Sequence, residues 1–240
     1  MLTTRAIIFR TTKYRDSSLI VDAYTEEKGL RKYIINSVRK AKARTPASLL
    51  QVMNLVELTA YDRDDRDINR MKEIRLAYAY QQIPFDVVRG TLGLFMAEVA
   101  RKTIREREDN GPLFHFLFDA FVFLDETRES LANIHLQFLL ELSIHLGIMP
   151  SGEWSEETPL FDLREGQFVS SIPDHRQYLE EEQSYLVFRF LQVDRSDAHR
   201  IKVEKSRRLA LLRNLLEYYS LHLENMAEIK SFEVLRTVLG

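Results

Sequence analysis

Residues 28–44, KGLRKYIINSVRKAKAR, hold seven cations and no acid: Lys28, Arg31, Lys32, Arg39, Lys40, Lys42 and Arg44. Positive charge at that density suits the neutralisation of a phosphate backbone. In the middle of the run, Tyr33, Ile34 and Ile35 have the aromatic and β-branched character of a strand. The pattern is therefore a strand flanked by cations that opens into a basic loop. A solvated charged loop is the plainer account of any isolated basic run, and the rest of the chain has to decide between the two. Arg10, Lys13 and Arg15 add three cations in a polar turn after the first apolar strand. Tyr14 and Tyr33 offer rings that can stack on bases, each stack contributing about 1–3 kcal/mol. Packing inside a small β domain is the other use of either ring.

The distribution of charge favours the polyanion. The 240 residues carry a net charge of −2. Residues 1–60 nevertheless contain eleven Lys/Arg against five acids, and the remaining 180 contain 23 against 31. An asymmetry of this kind between segments points to nucleic-acid binding by one end. Other chemistries find little support. There is no Gly-x-x-x-x-Gly-Lys-Ser/Thr, no Gly-x-Gly-x-x-Gly and no Gly-x-Ser-x-Gly. The chain has no cysteine, which excludes disulfides and thiolate metal sites. Of its six histidines, His135 and His145 share one predicted helix but point in different directions, at roughly 100° per residue. The acid runs at 62–67 and 180–182 read as solvated faces. The N-terminus lacks the apolar core of a signal peptide, and no apolar run approaches the roughly 20 residues that span a bilayer. A cytoplasmic protein without cofactor, metal or membrane partner is the expectation.

Five short strands must position the cations. They are expected at 2–10, 18–25, 30–38, 52–61 and 68–76, with a hairpin turn at 26–29 in which Gly29 takes a positive φ. A short helical turn follows Pro46. Five strands with a small helix between the third and fourth is the order of an OB-fold barrel, whose second and third strands commonly carry oligonucleotides. Near Pro84 the apolar period changes from strand to helix. Helices are expected from residue 85, at 113–124 (phenylalanine-rich and buried), at 130–146 with Gly147 as its C-terminal cap, from an Asp174 cap through 190, at 205–223 and at 228–239. Residues 150–173 are not helical, and 160–169 read as a small hairpin. The fold class is α+β: an N-terminal five-stranded OB-fold barrel (1–80), then a larger all-helical domain (81–240) with a small β-hairpin insertion (148–173).

The order of these pieces resembles the RecO family of bacterial recombination mediators and DNA-annealing proteins. The resemblance is carried by Ala6-Ile7-Ile8-Phe9, then 13–20 (KYRDSSLI), then 24–29 (YTEEKG). It continues through the basic stretch 37–44, Leu49-Leu50-Gln51, and 54–58 (NLVEL). In the helical part, 138–147 (FLLELSIHLG) resembles the family's helix ending in leucine-glycine. Many members carry a four-cysteine zinc ribbon after that helix. The matching span here, 148–173, has no cysteine, so zinc is not expected. Apolar contacts of Trp154 with Phe161 and Phe168 are expected to shape the insertion instead.

The resemblance implies a non-enzymatic mediator of DNA repair and homologous recombination. Such a protein binds single- and double-stranded DNA and anneals complementary strands. It binds the C-terminal tail of single-strand-binding protein and, with RecR, helps load RecA, in the cytoplasm and at the nucleoid. Arg101, Lys102, Arg105, Arg207 and Arg208 are all eligible to receive the tail's carboxylate. The expected DNA track is Arg31, Lys32, Arg39, Lys40, Lys42 and Arg44, with Arg10, Lys13 and Arg15 nearby. The alternative is a helical protein-interaction scaffold that binds no DNA.

Overall fold

The structure, a computed structural model, describes residues 1–15, 18–36 and 46–239. It divides into two compact units, Met1–Glu126 and Thr127–Gly240.

The first unit opens with β1 (Leu2–Tyr14), β2 (Ser18–Thr25), β3 (Gly29–Ile35), β4 (Leu55–Tyr61) and β5 (Asn69–Leu76). They close into a barrel in the order β1-β2-β3-β5-β4, with a 3-10 turn at Ala47–Leu50 between β3 and β4. This is the OB-fold arrangement expected from the strand count. Every ladder is antiparallel except β3–β5, which has only two registered pairs, Tyr33 with Asn69 and Ile34 with Arg70. Alternation places Ala6, Ile8, Val21, Ala23, Tyr33, Val56 and Leu58 inside, and Leu50 from the 3-10 turn joins them.

β1 is longer than its apolar core predicts. The register shifts between Ile8 and Arg10, which leaves Phe9 as an extra residue. Its ring stacks on Tyr24 at 5.8 Å and 5°. Beyond the bulge the strand resumes and pairs with β2 as far as Tyr14 and Ser18. Arg10, Lys13 and Tyr14, expected in a polar turn, are therefore strand residues. The ladder supplies their backbone hydrogen bonds, and side-chain polarity does not oppose that on an exposed arm.

The expected division at residue 80 follows the change of period, whereas the compact unit runs on through two helices, α1 (Val87–Thr103) and α2 (Gly111–Glu126). The Asp86 carboxylate caps α1, accepting from the N–H of Val88 and Arg89 at 2.8 and 3.1 Å. Buried Asp125, on α2, accepts from the backbone N–H of Gln81, Gln82 and Ile83 at 2.8 Å each. Burial alone would raise its pKa, but those three donors hold it below the ordinary aspartate value. Gly29 takes φ +60° in the β2–β3 turn. A Cβ there would overlap the Glu108 carbonyl oxygen and lie 2.8 Å from that of Glu106.

The second unit contains α3 (Ile134–His145), a three-stranded sheet of β6 (Leu160–Asp162), β7 (Gln167–Val169) and β8 (Tyr178–Leu179), then α4 (Glu181–Leu191), α5 (Lys205–His222) and α6 (Ser231–Leu239). Gly147 caps the end of α3 at φ +72°. The expected hairpin is present, and a third strand adds to it. Tyr178 and Leu179 pair with the free edge of β6, so they are strand and not helix. α4 consequently begins at Glu181, and Asp174 does not cap it.

Rings and one carboxylate hold the cysteine-free insertion together. Phe161 lies 5.0 Å from Phe168 and 5.9 Å from Tyr218. Asp162 accepts from the N–H of Arg164 and Glu165 and meets His175 Nε2 at 3.3 Å. Trp154, expected on Phe161 and Phe168, packs on Tyr185 instead, at 4.7 Å. His135 is fully buried in α3, and burial pushes its pKa down to about 3. Among the described residues, no helix is long and apolar enough to cross a membrane. Nor does any group of three or more His, Cys, Asp or Glu among them form a metal site.

Candidate nucleic-acid interface

The barrel ladders decide which of the expected cations share a surface. Arg10 on β1 registers with Asp22 on β2, and Asp22 with Lys32 on β3. These three lie in one row across three neighbouring strands. Arg10 and Lys32 are exposed and Asp22 is half-buried between them. Strand alternation puts Thr12 and Tyr14 on the same face as Arg10. Tyr14 is 38% exposed and carries the Arg15 guanidinium 5.2 Å above its ring. Arg15 itself sits at φ 54°, in the left-handed region, where the arm begins to turn. The outer wall of β1–β3 thus presents Arg10, Tyr14, Arg15 and Lys32 together. Lys13 belongs by alternation to the opposite face of the arm.

Arg31 differs from its neighbour Lys32. It has the inward parity of Tyr33 and Ile35, and its side chain is only 14% exposed. Its guanidinium meets Asp64 at 3.0 Å and Asp62 at 3.8 Å. Lys28 meets Asp64 at 3.3 Å. The Tyr33 hydroxyl donates to Asp62 at 2.7 Å. Burial, then the bond to Asp62, pushes the tyrosine pKa well up. The Asp62 side chain is 4% exposed, so this member of the acidic turn is no solvated residue. Tyr33, the other candidate ring, is wholly buried. Arg39, Lys40, Lys42 and Arg44 lie outside the described residues.

The reach of the acidic turn at 62–67 to the cations of β3 was not visible in the chain. Its signal is the alternation DRDDRD between the fourth and fifth strands, placed where a barrel brings that turn next to the third. Of the residues eligible for a partner's carboxylate, Lys102 pairs with Glu98 at 2.6 Å. Arg207 pairs with Glu182 and Glu204. Arg208 donates to Asn133 Oδ1 and to the Val203 carbonyl. Arg101 is half-buried and Arg105 exposed.

The family model described as "Recombination protein O N terminal" matches residues 1–80, and "Recombination protein O C terminal" matches 84–231. This chain belongs to the RecO family. It is 35% identical over 241 residues to a protein named "DNA repair protein RecO" from Christiangramia forsetii, with 100% of both chains covered. It is 31% identical over 237 residues to the protein of that name from Phocaeicola vulgatus, covering 99% of this chain and 98% of the relative. A Bacteroides fragilis protein of the same name is 31% identical over 234 residues, at 97% of each. Membership in this family gives the chain a role in DNA repair and recombination.

Proposed function

We propose that this RecO-family chain is a non-enzymatic mediator that handles DNA through its barrel, residues 1–80, and meets partners through its helical part, 81–240. The observation that carries the proposal is the row Arg10–Asp22–Lys32 with Tyr14 and Arg15 beside it. It is a cationic, ring-bearing surface on a barrel of the order that commonly takes oligonucleotides. The sequence supplies four more cations, Arg39, Lys40, Lys42 and Arg44, in the segment that follows β3. Lys13 adds a further exposed cation on the other face of the same arm. Arg31 serves the barrel end, where it neutralises Asp62.

Contacts to phosphate position a strand without reading its sequence. That suits an activity that must accept any pair of complementary strands. Neutralising two strands at once lets them approach and pair, so annealing needs no covalent step. The same reading includes double-stranded DNA, the C-terminal tail of single-strand-binding protein, RecR, and through them RecA. It places the protein in the cytoplasm at the nucleoid.

The test is fluorescence anisotropy with a labelled single strand over a salt series, followed by annealing with and without single-strand-binding protein. About five neutralised phosphates give a slope of about −3.5 in log K against log salt. Reversal of Arg39, Lys40, Lys42 and Arg44 to glutamate abolishes binding in a folded protein. If binding persists unchanged, the track is wrong. A scaffold that captures its partners but binds no DNA at low salt would replace the proposal.

A further inference from the structure

A second outer row, next to that of Arg10 and Lys32, crosses from β3 to β5. Ile34 follows Lys32 on the same face and registers with Arg70 of β5, and Arg70 registers with Tyr61 of β4. Thr12 and Ile20 precede Ile34 in the same row. The row thus runs Thr12, Ile20, Ile34, Arg70, Tyr61 around all five strands. Tyr61 is 51% exposed. Arg70 is exposed, and among the described residues no carboxylate pairs with it.

The β3–β5 ladder is short and ends after two pairs. A groove of about 840 Å³ opens there, lined by Ile35, Asn36, Tyr61, Arg70, Met71 and Ile74 among others. That volume lies within the range of about 300–1,000 Å³ typical of ligand sites. Its two acids are already matched, Glu57 by Arg75 at 2.6 Å and Glu73 by Lys72 at 3.4 Å. Arg70 is left as the unmatched charge. Asn36, which lines the groove, immediately precedes the basic segment in sequence.

We propose that this groove holds nucleotides of a single DNA strand, with Tyr61 as the stacking platform for a base and Arg70 as a phosphate contact. A strand lying on Arg10 and Lys32 then continues across the barrel seam onto β5 and β4. The occupant is a single strand because an exposed ring in a largely polar groove stacks only on bases already out of a duplex. The charge fits, since the open cation is matched by a phosphate. The inference rests on the reading of the barrel as a DNA-binding surface.

The experiment uses the full chain and a fluorescent oligothymidine. Tyr61→Ala weakens binding about 5- to 150-fold, the worth of one stacked base, and Tyr61→Phe restores it. Arg70→Ala lowers the salt slope by about 0.7. Irradiation of the wild-type protein with 5-iododeoxyuridine in the strand cross-links the peptide containing Tyr61. Both side chains are exposed, and a melting curve verifies that each variant is folded. Unchanged affinity in Tyr61→Ala and Arg70→Ala, or cross-links confined to other peptides, overturns the groove while the wall track stands. A wild-type protein that binds no single strand at low salt overturns both.

Discussion

Arg31 and Lys32 are neighbours on one strand, yet they belong to two different regions. Arg31 faces the barrel end, where Asp62, Asp64, Lys28 and the Tyr33 hydroxyl surround it. Lys32 faces the outer wall, beside Arg10 across a half-buried Asp22. Two cations adjacent in sequence are spent differently because a strand sends alternate side chains to opposite faces. The end region is tied internally and holds the barrel together. The wall keeps Arg10 and Lys32 exposed, where the proposed function puts DNA. A basic run is therefore not a site in itself, since its members divide according to parity and according to what the neighbouring turn brings.

Substitutions at the end should act on stability and substitutions on the wall on DNA, which gives the contrast its tests. The largest effect belongs to Gly29. An alanine there meets two carbonyl oxygens in a left-handed conformation, and we expect a loss of about 3–4 kcal/mol in urea unfolding. Arg31→Ala removes the charge that faces the Asp62 carboxylate, which keeps the hydrogen bond from the Tyr33 hydroxyl. About 2–3 kcal/mol of stability should go, at the low end of what removing one partner of a buried pair does because Asp64 is largely exposed. If Arg31→Ala is as stable as wild type yet loses DNA, the division between end and wall is wrong.

Acid gives a milder probe of the same unit. The hydrogen bond from Arg5, opposed by burial and aided by His115, holds Glu26 at about 2, well below its ordinary 4.5. A depressed carboxylate contributes stability that is fully present above its unfolded value and disappears as pH falls through its folded one. The unfolding midpoint should therefore decline between about pH 4.5 and 2, and Glu26→Gln should flatten that decline. The smallest effect on stability belongs to Lys32→Ala, within about 0.5 kcal/mol of wild type. Its mark is on DNA, with a salt slope lower by about 0.7.

The insertion in the second unit offers another lesson. Phe161 and Phe168 meet as their spacing in a hairpin suggests. Trp154 finds Tyr185 of α4 instead, and β8 forms from a dipeptide whose own pattern looks helical. A two-residue strand has no periodicity to read. It exists because the edge of β6 needs partners for its backbone groups.

Much was determined by the chain alone. The strand count, the change of period near Pro84, the left-handed glycines at 29 and 147, and the concentration of positive charge in the first 60 residues are local properties. They follow from propensity, alternation and steric freedom, which act within a few residues. Tertiary structure decided the rest. The bulge at Phe9 carried Arg10 and Tyr14 onto a strand, and closure of the barrel set the turn at 62–67 against Arg31. The short β3–β5 ladder brought Tyr61 and Arg70 into line with Ile34, the next outward residue of β3 after Lys32. Those outcomes depend on register between strands far apart in the chain. A one-residue change of register exchanges the faces of every side chain, so no stretch read by itself can specify them.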